Sequence, residues 1–497
     1  MNMRGMLAAC CLFLVSGALA DVPVEKTYAE HCASCHGADR LGGTGPALLP
    51  ENLARLRRPD AIKVIADGRP ASQMAGFSDK LGKAEIEALT GFIYTKLPQV
   101  PVWGRNEIVA SHIRHVPAGS LPNKPVFSVA DPLNLFVVVE LGDHHATILD
   151  GDKLEPVHRF ATRFALHGGP KFSPDGRFVY FASRDGWVSK FDIYNLKTVA
   201  EVRAGINARN LAVSGDGKTV LVGNYLPHSL VLLDANDLSL LKVIPAVGAD
   251  GKSSRVSAVY QAEPRGSFVA ALKDTREVWE IAYGDKAFPI RRIAADDYLD
   301  DFFFDQDYKL LIGTARDSHK GQVIDLDTGK KLAELDLPGM PHLGSGITWD
   351  YRGRQVMATP NMKDGVVSVI DMQSWKTIKE IKTPGPGFFM RSHENTPYAW
   401  TDGFATGNPA SNDTMTLIDK KTLEVAHILR PEPGKTAAHV EFSRDGKYAL
   451  VSIWEMDGAL VIYDTATLKE VKRIPMRKPS GKYNVYNKTT RSAGTSH

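Results

Sequence analysis

Residues able to do chemistry appear early. His31 to Gly37 reads HCASCHG, so Cys32, Cys35 and His36 form Cys-x-x-Cys-His. Two thiols at that spacing can both form thioethers to haem vinyl groups, and the histidine that follows is placed to ligate the iron. A thioredoxin-like redox pair is the rival, but it expects a βαβ setting and has no need of His36. Met74, in SQMAGFS, lies 38 residues beyond His36 and is the candidate sixth ligand. An iron held by His36 and Met74 has no open position, so it would carry electrons rather than bind substrate.

A second set is spread over the rest of the chain. It holds His167, His342 and His439, with Arg184, Arg209, Arg255 and Arg391, the pair Asp300–Asp301, and Tyr225 with His228. Arginine forks match carboxylates in two-pronged fashion, and neutral imidazole ligates iron or moves protons near neutral pH. Gathered at one opening, the set suits a flat, metal-bearing ligand with several carboxylates, that is, a tetrapyrrole. Singly, each has a plain structural use. A lone histidine is more often a hydrogen-bonding scaffold residue, and Arg184 beside Asp185 reads as a turn ion pair. His144, His145, His158, His319, His393 and His427 are read as structural, and His112 and His115 as surface or packing residues.

The elements that must position these groups follow from the pattern. Residues 1–20 carry Arg4 and then an apolar run ending Ala18-Leu19-Ala20, which reads as a secretory signal and predicts a periplasmic protein. Of the four cysteines, Cys10 and Cys11 lie in that signal, so Cys32 and Cys35 alone remain and no disulfide framework is expected. A short helix precedes the Cys motif and the amphipathic KAEIEALTGFIYTKL follows Met74, giving a small helical domain over 21–97. Residues 98–125, rich in proline, read as an extended linker. No later segment is apolar and long enough to span a bilayer. A net charge of +3, from 60 basic and 57 acidic side chains, gives no reason to expect nucleic acid as partner.

From 126 to 497 short β-branched runs alternate with turns, and one unit recurs. FSPDGRFVYFASRDG, VSGDGKTVLVGNY and FSRDGKYALVSIW are its clearest copies. Turn positions fall at 131, 176, 217, 266, 307, 353, 396 and 446, so seven steps span 315 residues at a mean of 45. Four strands per unit at that period predict an eight-bladed β-propeller, and the C-terminal GKYNVYNKT could supply the strand that closes the ring. The loop before each innermost strand and the loop after the second strand open on one face. The second set of residues falls in those loops.

From about Asp21 to Leu97 the sequence resembles class I cytochromes c. A cytochrome c domain ahead of an eight-bladed propeller with a histidine rim resembles the cytochrome cd1 family over almost the whole chain. The resemblance implies a covalent haem c on Cys32 and Cys35, and a propeller-bound haem d1 or dihydro-haem d1. It implies His167, in ALHGGPKFSPDG, as proximal iron ligand and Arg184 as a carboxylate contact. Arg209 in NARN and Tyr225 in GNYLPHS match anion-binding segments, and Arg255 joins them. His342 in MPHLGSG matches a distal histidine, able to cap the iron.

Nitrite reductases of the family use two distal histidines. Here Asp300 and Asp301 stand where the second belongs, which puts nitrite reduction in doubt. The branch that matches better completes haem d1 by oxidising one propionate of the dihydro precursor to acrylate, passing electrons to haem c. His342 and His439 are then the candidates for proton removal, either as base or cap. The resemblance also implies a periplasmic electron acceptor and, as recipient of the finished pigment, a cytochrome cd1 nitrite reductase with other maturation proteins. A nitrite reductase variant and a non-catalytic haem d1 carrier are the alternatives.

Overall fold

The β-branched runs form antiparallel four-strand meanders, eight of them, arranged in succession around a ring. The computed structural model describes residues 24–42, 45–53, 56–68, 74–99, 101–117, 119–166, 169–315, 320–337 and 339–490. The expected signal (1–20), His167 and His319 lie outside the described residues.

Blade 1 shows how the ring closes. Its outer three strands are Leu135–Glu140, His145–Asp150 and Glu155–Ala161, while its innermost strand, Pro479–Asn484, is the last of the chain. The register pairs Phe136 with Asn484 and Val138 with Lys482. The C-terminal segment thus supplies the closing strand, as its sequence led us to expect. Leu135–Glu140 is buried at all six positions, because blades pack on both of its faces. The outermost strands meet water, so Lys330–Asp336 in blade 5 is mostly exposed.

The eight second strands begin at 135, 178, 219, 267, 310, 354, 398 and 448, close behind the turns read from the sequence. In blades 2, 3 and 8 those turns use Gly176, Gly217 and Gly446 at φ of 73°, 69° and 74°, a backbone region that favours glycine.

The front domain is built on helices Val24–His31, Ala33–His36, Arg58–Asp67 and Lys83–Ile93. Tyr28, Ile65, Ile86, Leu89 and Ile93 form its core. Arg40 stitches the loop after the Cys motif to the last of these helices, donating to the carbonyls of Phe92 (2.6 Å) and Thr95 (3.0 Å).

The segment expected to be an extended linker is more structured than its prolines implied. It contains the helix Arg105–Ala110 and a strand, Ile113–Arg114, that pairs with the outer strand of blade 2. Glu107 starts that helix by accepting from the Gly104 N–H at 2.8 Å, and Ile108 is wholly buried.

The two domains touch at the propeller face where the rim loops open. Leu41, Ala47, Leu49, Leu97 and Trp103 pack with Ile206 and Leu226 of blade 3. Arg203 pins this contact: its Nε donates to the Asp185 carbonyl at 2.8 Å, a terminal nitrogen donates to the Leu41 carbonyl, and its guanidinium lies 4.6 Å from the Trp103 ring centre.

Candidate active site

In the front domain Cys32 is half-buried and Cys35 exposed, with both sulfurs free. His36 is buried, and its Nδ1 donates to the Pro46 carbonyl at 2.7 Å, which leaves the Nε2 lone pair available. Burial lowers the His36 pKa and keeps the ring neutral, the form that ligates iron. Gly45 lies against that ring: a Cβ there would fall 2.8 Å from the His36 Cε1, so the cradle depends on glycine. This donor set fits a covalent haem. Met74 is partly buried, beside Gly68, where a Cβ would meet the Met74 carbonyl oxygen at 2.7 Å.

The propeller mouth brings His342 into a charged, largely dry setting. His342 stands just before the short 3-10 turn Leu343–Ser345. Its backbone N–H donates to the Pro360 carbonyl at 3.0 Å, and its Nδ1 to the Phe388 carbonyl at 2.5 Å. These bonds fix both backbone and ring. A carbonyl only accepts, so Nδ1 carries the proton and Nε2 offers a lone pair, 3.9 Å from Asp301 Oδ2. Asp301 also accepts from the Tyr260 hydroxyl at 3.0 Å. Burial lowers the His342 pKa more than Asp301 raises it, and the Arg209 and Arg391 charges add to the lowering. Arg209 itself is aimed by its Nε–H, which donates to the Ser257 carbonyl at 3.0 Å.

His439 was read as a rim residue. The structure puts it inside strand Ala437–Phe442 of blade 8, wholly buried, at a bulge between Ala438 and Val440 where its φ is 52°. Its ring sits between Phe389 (centroids 4.7 Å) and Tyr483 (5.3 Å), and neither ring nitrogen has a hydrogen-bond partner. Burial, together with the charges of Lys482, Arg391 and Lys488, holds its pKa well below the usual imidazole value. A buried neutral imidazole with both nitrogens unsatisfied is costly, by about 1–3 kcal/mol per unmet group, unless a ligand completes it.

Around these two lies a ring of buried ionisable groups. Arg391 from blade 7 acts electrostatically on Glu441 of blade 8 and Tyr483 of blade 1, and Lys488 of the C-terminal helix acts on Glu441, Arg391 and Lys171 of blade 2. Burial drives Lys171 and Lys488 down to about 8 and Tyr483 up to about 12. Arg391 is 5% exposed, and its Nε has no hydrogen-bond partner. Cations outnumber anions here, which suits an anionic ligand.

The remaining rim residues divide. Arg184 is partly buried at the turn after the second strand of blade 2, and its backbone N–H donates to the Ala165 carbonyl at 3.0 Å. Arg255 was expected to offer its fork to a ligand. It is already bidentate on Asp274, at 2.5 and 2.9 Å, and lies 5.6 Å from the Tyr225 ring centre. Asp300 is engaged by Lys273, and His228 Nδ1 contacts Ser253 Oγ at 2.9 Å. His393 is buried between the Arg444 carbonyl and the Asn395 N–H, a scaffold role like the one read for it.

The family model described as cytochrome D1 heme domain matches residues 130–488. The chain belongs to the cytochrome D1 haem domain family. A second model, described as cytochrome C oxidase, cbb3-type, subunit III, matches residues 22–93. The family architecture is therefore a cytochrome c-type domain followed by an eight-bladed d1 propeller. A dihydro-heme d1 dehydrogenase from Pseudomonas aeruginosa is 60% identical over 495 residues, covering 99% of this chain and all of that protein. The solved structure titled dihydro-heme d1 dehydrogenase NirN in complex with DHE superposes with a TM-score of 0.91 at 61% identity, over 94% of this chain and 100% of that one. A nitrite reductase from Stutzerimonas stutzeri is 26% identical, over 93% of this chain and 92% of that protein.

Within this d1 propeller, sequence reasoning missed Tyr260, Asp402, Lys171 and Tyr483 as site residues. Lys171 lies in the quoted HGGPKFS and Tyr483 in GKYNVYN, so local signals existed. Tyr260 and Asp402 sit in strands Val256–Ala262 and Tyr398–Asp402, with nothing local to distinguish them from other strand residues.

Proposed function

We propose that this chain oxidises a propionate side chain of dihydro-haem d1 to acrylate as the final step in making haem d1, in the periplasm. The change is –CH2–CH2–CO2− to –CH=CH–CO2− plus two protons and two electrons. One C=C π bond forms and two C–H bonds break. Cys32, Cys35, His36 and Met74 would hold a covalent haem c, which would supply one-electron acceptance twice over by handing each electron on to an external periplasmic acceptor.

The observation that carries the reading is that a carboxylate, Asp301, faces His342 Nε2. Cleaving a nitrite N–O bond calls for two proton donors, which a histidine pair provides. An imidazole beside a carboxylate is arranged instead to accept a proton and hold the resulting cation. The identity to the dehydrogenase relative supports the same reading.

The role of His167 follows from the family resemblance, and those of the other residues from placement and charge. His167 holds the substrate iron from the proximal side. Arg184, Arg209 and Tyr225 receive ring carboxylates; Arg255, paired with Asp274, stiffens the Tyr225 side of the rim. His342, with Asp301 beside its Nε2, takes one proton from the side chain, and His439, neutral and unpartnered, assists removal of the other. Phe388 and Phe389 keep water from both imidazoles.

The test is single turnover with the pigment. Protein carrying haem c is loaded with dihydro-haem d1, and mass and visible spectrum are followed. Loss of two hydrogens with reduction of haem c supports the reading. Tight binding with no mass change would leave a carrier. Reductant-driven nitrite turnover would instead assign a reductase.

A further inference from the structure

We propose that Asp402 is a positioning residue that locks the two histidines of the site into one frame. The inference rests on the dehydrogenase reading for what the frame serves.

The observation is a set of hydrogen bonds meeting on one carboxylate. Asp402 ends the second strand of blade 7, at the mouth, and is wholly buried. Its Oδ1 accepts from the backbone N–H groups of Phe388 (2.7 Å) and Phe389 (3.1 Å). Its Oδ2 accepts from the backbone N–H of His439 at 3.1 Å, across the seam to blade 8. Phe388 in turn supplies the carbonyl that fixes the His342 ring, and Phe389 packs on the His439 ring. One side chain therefore sets the loop that orients His342 and the bulge that presents His439.

Chemistry says why a carboxylate is used. The bulged backbone at His439 leaves an N–H outside the blade ladder, and the turn at Phe388–Phe389 leaves two more. Three buried N–H groups need an acceptor that can serve several at once, and a carboxylate has about four acceptor sites. Lys482 completes the frame from the other side: its ammonium donates to the His439 and Ala438 carbonyls and, at 2.8 Å, to Ser452 Oγ. The peptide carrying His439 is thus held at both ends, by Asp402 at its N–H and Lys482 at its C=O. Burial raises the Asp402 pKa to about 6, and these same N–H bonds with Lys482 work against that rise. Arg391, Tyr260, Tyr483, Glu441 and Lys488 are further charged or titratable groups around this corner.

The test compares wild type with Asp402→Asn and Asp402→Ala, all carrying haem c. Asparagine keeps the shape but presents an NH2 to one of the three N–H donors. Two readouts are taken for each: the visible spectrum of bound dihydro-haem d1, and the single-turnover rate with its substrate dependence. The expected result is a fall in kcat of at least tenfold for Asp402→Ala and a smaller fall for Asp402→Asn. KM should stay within threefold, and the bound-pigment spectrum should shift in both variants. A purely structural role would lower yield and melting temperature but leave the rate per folded, pigment-loaded molecule unchanged. Variants with wild-type rate and spectrum overturn the inference. Wild type that binds pigment without converting it overturns the dehydrogenase reading instead, and the spectral shift then decides the positioning claim alone.

Discussion

Asp301 Oδ2 stands 3.9 Å from Nε2 of His342, while Nδ1 of the same ring is committed to the Phe388 carbonyl. The ring cannot flip without losing that bond, so any proton it takes up appears beside a carboxylate. At an effective dielectric near 20, opposite unit charges at that separation attract by about 4 kcal/mol, though partial solvation reduces the benefit. Replacing Asp301 by asparagine removes the charge and keeps the shape, including an acceptor for Tyr260. The expected outcome is a loss of roughly tenfold in single-turnover rate, or ~1.4 kcal/mol of barrier. Stopped-flow absorbance on the loaded protein measures it, and an unchanged rate would remove His342 from proton transfer.

Burial governs the acid side of the pH profile. His439 is held neutral by its dry surroundings and by Lys482, Arg391 and Lys488, with its pKa well below the usual value. It therefore stays competent as a base while pH falls through the ordinary histidine range, and the acid limb of kcat/KM should lie below about pH 6.5. Phe389→Ala would admit water to the ring and move that limb upward. For stability the sign is fixed too. The unfolded chain takes up the proton first, so folding weakens as pH drops below the unfolded value of about 6.5, down to the folded one. Rate profiles for both proteins, with melting temperatures at each pH, check the two statements together.

Arg203 couples the domains. It is 6% exposed, donates to the Asp185 and Leu41 carbonyls and stacks near Trp103. Arg203→Met keeps the packing volume but leaves both carbonyls without this donor. Two charge-assisted hydrogen bonds and a desolvated cation–π contact are involved, so a loss on the order of 2 kcal/mol is expected. The kinetic effect should be clearer. Haem c reduction by bound pigment should slow several-fold, because the domain holding His36 is no longer fixed over the rim, while pigment affinity is unchanged. Urea midpoints and electron-transfer rates are the measurements, and equal rates would show that docking is set elsewhere.

What was legible in the sequence was periodic or motif-like. Eight turns near a 45-residue spacing foretold eight sheets, and Cys32, Cys35 and His36 stood in one turn of helix. What escaped depends on contacts between distant residues. Arg255 looked like a free fork because its partner, Asp274, is 19 residues away on the far side of a hairpin. His439 looked like a rim residue because nothing local announces a bulge with positive φ. The linker looked extended because proline content was weighed more heavily than Gly104 and Glu107, which start a helix. Asp402 serves two backbone donors in its own blade and a third, His439, across the seam in blade 8, which no local pattern announces.

The last strand offers a test of that closure. Pro479–Asn484 supplies the inner strand of blade 1, Lys482 bonds across to blade 8, and Asn487 of the following helix donates to Glu441 Oε1 (3.0 Å) and to the Phe442 carbonyl (2.9 Å). A chain ending at Met476 would leave Leu135–Glu140 as an inner edge with unpaired N–H and C=O groups and would uncover the apolar face between blades 8 and 1. A ring stabilised by each blade packing on two neighbours then has two loose ends. The expected product is an aggregating propeller behind a cytochrome domain that still attaches haem, since its core residues all precede the break. Haem c absorbance in the insoluble fraction, with no pigment binding, would bear this out. Adding residues 477–497 as a peptide during refolding should restore soluble protein, as a strand supplied in trans re-forms the Val138–Lys482 register. A truncated chain that melts cooperatively and binds pigment would show that the ring holds without its C-terminal clasp.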